Sequence, residues 1–339
     1  MGQLIHHKIY HSLKLHPARP PIDKMLQISL SSLIPITLGY TLGHFGYSVF
    51  GGLIALAITL NDHQGQLRKR FIHLITCSFF LNLGLFLGAF FIAYQSFAPY
   101  FIFIAALILG KIKDQGISLE RMYLFSFFNF LAIFDSLTKK DQIYLPLIYS
   151  TIGFFSYLVV LLILNLFYKY ESTNNSSKRN ILKSSLQNHH SNRFSLIYSL
   201  TVTLSFYFFK SLHFKHSYWI AGTIMIVMLP SFSQSFERSF QRVFGTILGV
   251  ILASIIVSIY QSPLLIFLGI MLATFFIPWT LELNYWLGNV AIAALVIFIT
   301  EAQSISSNLW LVSLERVIDI SIGGFIAIFA NYFFLKKER

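Results

Sequence analysis

Two arginines in the segment SFSQSFERSFQR have the spacing of a binding pair. Arg238 and Arg242 are four residues apart, so on a helix both side chains project from one face. A guanidinium group binds a carboxylate through two parallel hydrogen bonds, which makes the pair a candidate site for an organic anion. The alternative is that both are ordinary positive charges beside an apolar segment. Lys69 and His73 have the same spacing in the first half of the chain and are the corresponding candidates there.

A second charged cluster interrupts the otherwise apolar segment 309–335. It consists of Glu315, Arg316 and Asp319. Arg316 and Asp319 are three residues apart and can pair on one face of a helix. Since a charge in apolar surroundings is costly, the cluster is also a candidate for substrate binding by Arg316 and for proton coupling by Asp319 and Glu315. Alternatively, Arg316 extends to an aqueous boundary, because it lies about 29 Å along a helix from Leu335.

Aromatic and polar residues flank the short apolar stretch YWIAGTIMIVMLP. Tyr218 and Trp219 could stack on an aromatic substrate or belong to an interfacial aromatic belt. Pro230 predicts a structural break at the end of the stretch. Three polar residues after the break could donate hydrogen bonds to an anion: Ser231, Ser233 and Gln234.

The sequence offers little for catalysis or for a metal ion. It contains no Walker phosphate loop (G-x-x-x-x-G-K-[ST]), no G-x-S-x-G and no H-E-x-x-H. The 11 histidines lack the spacing of zinc ligands, and the single cysteine, Cys77, excludes a disulfide within the chain. We therefore predict no enzymatic activity, no catalytic residue, no metal and no cofactor.

Long apolar runs indicate that the candidate residues belong to a membrane protein. The chain is 55% hydrophobic and 11% charged, whereas soluble domains carry about 25% charged residues. Several runs without Asp, Glu, Lys or Arg exceed the roughly 18 residues that a spanning helix needs. They are Met25 to Asn61, Phe71 to Gly110, Gln142 to Tyr168 and Val243 to Leu281. We predict an all-α, polytopic membrane protein.

About twelve transmembrane helices fit these runs, and the second helix of each half is short. The predicted spans are roughly 25–44, 46–60, 71–94, 97–110, 120–136 and 143–168, then 194–212, 216–230, 242–260, 263–280, 284–300 and 309–335. A helix of thirteen residues covers about 20 Å of a hydrocarbon core about 30 Å thick. Two short helices at matching places predict a midplane binding site, where their ends face protein or a water-filled cavity. A tilted bundle in a locally thinned bilayer is the alternative.

The two halves resemble each other at a shift of 171 residues. GYSVFGGLIALAIT (46–59) aligns with SYWIAGTIMIVMLP (217–230), and YSTIGF (149–154) aligns with ISIGGF (320–325). The chain therefore divides into a cytoplasmic N-terminal segment, two parallel six-helix repeats joined by a cytoplasmic linker, and a cytoplasmic tail. The boundaries are 1–24, 25–168, 169–193, 194–335 and 336–339.

Lysine and arginine set the orientation. Most of the 25 fall in segments on one side of the predicted helices, which places both termini in the cytoplasm. The net charge of +12 is then explained by topology and by the anionic headgroups of the lipid bilayer. We predict no nucleic-acid partner.

The order Tyr-Trp, short apolar segment, Pro230, Arg238, Arg242 and then GTILG resembles the fusaric acid resistance (FUSC) family. This family belongs to the aromatic acid exporter superfamily, which includes the plant aluminium-activated malate transporters. ERVIDISIGGFIAIFANYF (315–333) resembles the last helix of the same module. The resemblance is close over 216–335 and faint over 25–168.

The resemblance implies a multi-pass protein of the bacterial inner membrane that exports small organic anions, often aromatic carboxylates. A proton gradient would drive this secondary transporter. Many relatives carry a sizeable cytoplasmic domain, in place of which this chain has only the linker. Leu145 stands where the first half would need the equivalent of Arg316, which predicts an asymmetric site with most charge in the second half. A periplasmic adaptor protein and a homo-oligomer are candidate partners.

Two other functions are compatible with the residues. One is an organic-anion channel, similar to the malate-conducting relatives. The other is a non-transporting membrane scaffold whose basic linker docks a partner protein.

Overall fold

The computed structural model describes residues 13–62, 67–113, 117–136, 144–167, 188–259, 262–303 and 309–335. Between residues 22 and 335 these ranges form twelve α-helices. The first six are α1 Ile22–Thr41, α2 Phe45–Asn61, α3 Leu67–Ala93, α4 Ala98–Ile112, α5 Ile117–Ser136 and α6 Tyr144–Phe167. The second six are α7 Asn188–Ser211, α8 Ser217–Val227, α9 Phe232–Ile259, α10 Pro263–Leu283, α11 Tyr285–Gln303 and α12 Leu309–Leu335.

One predicted boundary is wrong by almost three turns. Helix α9 begins at Phe232 and not at 242, so most of the basic segment between the predicted spans 216–230 and 242–260 is helical. Phenylalanines recur at every fourth position there and form an apolar stripe, which favours a helix. They are Phe232, Phe236, Phe240 and Phe244.

The predicted linker is also shorter than expected, because α7 begins at Asn188 and takes in its last residues. The rest of the linker from 169 onward, most of the N-terminal segment and the tail lie outside the described residues.

Five described helices are long and apolar enough to cross a membrane: Arg70–Ala93, Gln95–Ile112, Tyr144–Leu166, Phe232–Ile259 and Pro263–Leu283. Three further apolar helices are shorter, at Phe45–Asn61, Ser217–Val227 and Tyr285–Thr300. Large apolar side chains such as Phe79, Leu162 and Ile255 are exposed on the outer faces of the long helices. The chain is therefore a multi-pass membrane protein, and the number of twelve crossings stays a prediction.

Glycines of the motifs GLFLG (84–88) and GTILG (245–249) allow two helix pairs to approach closely. In the pair α3–α5, a Cβ at Gly84 would clash with the carbonyl oxygen of Ser126. In the pair α9–α11, a Cβ at Gly249 would clash with the carbonyl oxygen of Val290. Each pair is thus packed backbone against backbone.

The two halves exchange contacts. Helix α4 packs on α7, and α10 packs on α1. The hydroxyl of Ser29 in α1 donates to Met271 O in α10 at 3.2 Å. Within the halves, α2 packs on α6 and α8 packs on α12. Helices α4 and α10 are therefore each packed against the first helix of the other half.

Residues 13–18 form a segment that we call the N-terminal strap, which binds the turn between α10 and α11. Three of its carbonyl oxygens accept side-chain hydrogen bonds, and one of its amides donates to a backbone carbonyl. These bonds are Trp286 Nε1 to Leu13 O at 3.1 Å, Asn284 Nδ2 to Lys14 O at 2.8 Å, Trp279 Nε1 to Ala18 O at 3.1 Å and His16 N to Leu283 O at 2.9 Å.

Candidate functional site

The short helix α8 ends before Pro230, as the sequence predicts. It has 11 residues, and Met228 after it is extended, with φ −75° and ψ 114°. A helix of this length covers about 16 Å. Pro230 itself is exposed and follows the break.

Protein side chains satisfy the backbone groups at the broken end of α8. A helix end leaves carbonyl oxygens without intrahelical donors, and burying them without partners is costly. The donors come from four other parts of the chain. They are Tyr198 Oη to Met225 O at 3.0 Å, Lys113 Nζ to Met228 O, and Ser235 Oγ at 2.9 Å and Asn331 Nδ2 at 2.7 Å to Leu229 O. Side chains from other parts of the protein therefore cover the C-terminal end of this helix.

Two arginines are buried where α8, α9 and α12 meet. Arg316 is 5% exposed, and its Cζ lies 3.2 Å from the centroid of the Trp219 ring. Arg242 is 6% exposed and donates through Nη1 to Tyr285 Oη at 3.2 Å and to Asn289 Oδ1 at 3.4 Å. The two guanidinium groups are close enough to repel each other. Arg316 therefore does not extend to an aqueous boundary but is packed against an indole.

These arginines keep unused hydrogen-bonding capacity. Arg316 Nε and Nη1 and Arg242 Nε have no hydrogen-bond partner. Asp319 is 4% exposed and attracts Arg316 electrostatically. Within the described residues, however, neither arginine forms an ion pair with it or with any other carboxylate. The pairing of Arg316 with Asp319, which their spacing allows, is thus not made.

Two buried hydroxyl groups on α8 and α9, the helices that carry Trp219 and Arg242, also lack partners. They are Thr223 Oγ1 in α8 and Ser239 Oγ in α9. A Cβ added to Gly323 would lie 2.8 Å from Thr223 Cβ, and one added to Gly324 would lie 3.6 Å from Ser239 Cβ. Both residues therefore pack against α12, Thr223 through its methyl group and Ser239 through its Cβ and hydroxyl. We call these four side chains the donor cluster: Thr223, Ser239, Arg242 and Arg316.

The donor cluster carries positive charge and hydrogen-bond donors but contains no negatively charged group. All of its unpartnered atoms can donate a hydrogen bond, and leaving a buried polar group unpaired costs about 1–3 kcal/mol. An anion would accept from these groups and offset the two positive charges. Aromatic rings stand beside it, since Trp219 lies 5.1 Å from Phe128 and 5.2 Å from Tyr218 between ring centroids.

Other predicted site residues lie outside the donor cluster. Arg238 is exposed, one turn before Arg242, with its Cζ 5.0 Å from the centroid of the Tyr285 ring. Tyr285 therefore contacts both Arg238 and Arg242. Gln234 is exposed near the start of α9.

Glu315 lies at the opposite end of α12 from the tail. It pairs with the exposed Lys215, whose Nζ lies 3.1 Å from Glu315 Oε1. Burial lowers the pKa of the neighbouring His216, and the carboxylate of Glu315 acts in the opposite direction. Glu315 is therefore part of a surface ion pair and not of the donor cluster.

Lys69 and His73, which match Arg238 and Arg242 in their spacing, do not occupy the equivalent positions in the first half. The glycine pairs match α3 with α9 at a shift of 161, which places Cys77 and Leu81 opposite Arg238 and Arg242. Both are fully buried and apolar. His73 instead lies near the end of α2, with Nε2 3.1 Å from Asn61 O, and the side chain of Lys69 lies outside the described part of the chain. The motif GLFLG could have given the correct alignment.

A buried ion pair in the first half escaped the sequence reasoning. Arg70 Nε donates to Asp62 Oδ1 at 2.7 Å, and Tyr157 Oη donates to Asp62 Oδ2 at 2.5 Å. Both charged side chains are 4% exposed. No local pattern indicates this cluster, because Tyr157 comes from α6. At the end of α2 the two opposite charges therefore neutralise each other. In the second half, Arg242 and Arg316 form no ion pair within the described residues.

Residues 202–330 match the family described as fusaric acid resistance protein-like. The matched segment contains all four members of the donor cluster as well as Trp219 and Asp319. Searches of curated proteins and of solved structures gave no match. The resemblance to the fusaric acid resistance family that the motifs predict is therefore confirmed over residues 202–330 of this multi-pass membrane protein.

Proposed function

We propose that the protein is a secondary transporter that exports small organic acids, above all aromatic carboxylic acids, across the bacterial inner membrane. The observation that carries this proposal is the donor cluster. Two buried guanidinium groups with free N–H donors and no paired carboxylate are costly in an apolar region unless an anion joins them.

The charge count favours one monoanion at a time. Arg242 and Arg316 contribute two positive charges, and Asp319 contributes one negative charge when ionised. A single carboxylate therefore makes the loaded site neutral. Trp219 and Phe128 would contact the flat apolar body of an aromatic acid, while the arginines hold its carboxylate.

The membrane potential, which is the electrical part of a proton gradient, favours the exit of an anion from a negative interior. Its contribution is about 2.3 kcal/mol per charge and 100 mV. We place the proton-coupling group at Asp319, because it is buried and attracts Arg316 without forming an ion pair with it. Glu315, which pairs with an exposed lysine, is a weaker candidate.

We further propose two parallel six-helix repeats with both termini in the cytoplasm. The matched helix pairs α2–α6 and α8–α12 and the exchanged contacts of α4 and α10 support this arrangement. So do the two tight turns before the short helices, where Gly43 has φ 73° and His213 has φ 59°. These residues are 170 positions apart, close to the shift that aligns the short helices.

The proposal is tested by export of benzoate, hydroxybenzoates and malate from loaded proteoliposomes, with binding measured by calorimetry. Arg242→Gln and Arg316→Gln remove charged hydrogen bonds worth about 1.5–3 kcal/mol each, so affinity should fall by roughly 10- to 150-fold. Lys215→Gln is the control, because it removes an exposed charge outside the cluster.

Three outcomes would contradict the exporter. Unchanged binding and export in both arginine variants would show that these arginines do not form the binding site. Current that follows voltage and needs no proton gradient would assign an anion channel. Absence of flux for every acid would favour a scaffold.

A further inference from the structure

We propose that Asp135 and Lys113 are positioning residues that hold α8 by its two ends, and that they thereby place Trp219 against Arg316. Both residues belong to the first half of the chain, whereas α8, Trp219 and Arg316 belong to the second. Neither residue would touch the substrate. The inference rests on the proposed function only for the identity of the ligand.

Asp135 acts at the start of α8. It lies in the last turn of α5, is buried, and its Oδ2 accepts from the backbone N–H of Tyr218 at 3.4 Å. Lys210 Nζ lies 3.5 Å from Oδ1 of the same carboxylate. The first N–H groups of a helix have no intrahelical partner and carry partial positive charge. A carboxylate at this place therefore binds the helix end directly.

Lys113 acts at the opposite end of α8. It follows α4 directly, is buried, and donates through Nζ to Met228 O. The same ammonium group lies 4.8 Å from the ring centroid of Tyr198. The last carbonyl groups of a helix carry partial negative charge. An acid at the N-terminal end and an ammonium at the C-terminal end both match the helix dipole.

A short helix depends on such contacts. Isolated helices below about 12 residues are marginal, so packing and end contacts decide where α8 lies. Trp219 is the residue after Tyr218, whose N–H binds Asp135. A shift of this end would separate the indole from the guanidinium of Arg316. The first half would thus control the aromatic wall of the anion site without contributing a residue to the donor cluster.

The test uses the full chain with Trp219 as the only tryptophan, after replacement of the other three, Trp279, Trp286 and Trp310, by Phe. Asp135→Asn and Lys113→Met are then introduced separately. Two properties are measured: Trp219 emission and acrylamide quenching without ligand, and the dissociation constant for benzoate. We expect altered quenching in both variants and a dissociation constant raised about tenfold.

Conservative and matched variants separate positioning from general destabilisation. Lys113→Arg keeps the donor and the charge and should restore most of the parental Trp219 signal. Arg70→Met removes an equally buried first-half charge that does not contact α8; it should lower the folded yield but leave the Trp219 signal of the folded protein unchanged.

Two results would overturn the inference. One is a folded Asp135→Asn variant with parental quenching. The other is an Arg70→Met variant that changes the Trp219 signal as much as Lys113→Met does. If the parent fails to bind benzoate, the proposed function fails, but the ligand-free Trp219 signal still decides the positioning role.

Discussion

Ser235 and Ser239 provide a matched pair of substitutions on one face of α9. Both side chains are buried and one turn apart. Ser235 Oγ accepts from the backbone N–H of Leu229 at 2.7 Å, donates to Leu229 O at 2.9 Å and accepts from Asn331 Nδ2 at 2.6 Å. Ser239 Oγ has no partner. The same change to alanine should therefore have opposite effects on stability and on binding.

Ser235→Ala should reduce stability. It leaves the backbone N–H of Leu229 without an acceptor, which costs about 1–3 kcal/mol. Each kcal/mol corresponds to a fall in melting temperature of about 2–4 °C in domains of 150–250 residues. Ser239→Ala removes a buried hydroxyl that is already unpaired, so the melting temperature should rise and not fall.

The affinity for benzoate should be affected more by Ser239→Ala than by Ser235→Ala. A neutral hydrogen bond contributes about 0.5–1.5 kcal/mol, so Ser239→Ala should weaken benzoate binding by roughly 2- to 12-fold. Ser235→Ala should change affinity by less than about twofold, because its hydroxyl has all its partners within the protein. Melting in detergent and calorimetric titration measure the two effects. Equal destabilisation by both variants, or unchanged affinity in Ser239→Ala, would refute the reasoning.

Three further outcomes follow from the packing. Asp62→Asn removes the carboxylate that pairs with the buried Arg70 and should lower the free energy of unfolding by about 3–5 kcal/mol, seen as lost folded yield in size-exclusion chromatography; an unchanged yield would contradict it. Gly51→Ala forces a Cβ against a backbone oxygen of α6 and should lower stability in thermal unfolding by about 1–3 kcal/mol. Gly324→Ala, with no neighbour closer than 3.6 Å, should be tolerated, and equal melting temperatures of the two variants would count against this. Trp286→Phe removes a donor to the N-terminal strap and should speed tryptic cleavage there, and an unaltered rate would show that the bond does not hold it.

The helices and the break in α8 could be predicted because they depend on local signals. Charge-free runs fix most helix positions, and the limited apolar length before Pro230 fixes the short helix. The missed start of α9 also had a local signal, in the fourfold spacing of its phenylalanines. Polar and basic residues hid that spacing, since the segment was interpreted by its polarity alone.

The donor cluster was only half predictable. Arg242 and Arg316 stand out as charges beside apolar sequence, but Thr223 and Ser239 are ordinary small polar residues until their neighbours are known. Asp135 and Lys113 act on residues that are 83 and 115 positions away, respectively. Such contacts depend on how whole helices are arranged, which no local spacing encodes.

The contact between α1 and α10 has a consequence for how the protein is made. Ser29 binds the carbonyl of a residue 242 positions later. At about 5–20 residues per second of synthesis, roughly 12 to 50 s separate the appearance of the two partners. During that interval lipid can cover the apolar surface of α1, but it cannot replace the missing acceptor. The packing of α1 therefore cannot be completed before α10 is made, and a chain interrupted before this helix would leave one face of α1 without its protein neighbour.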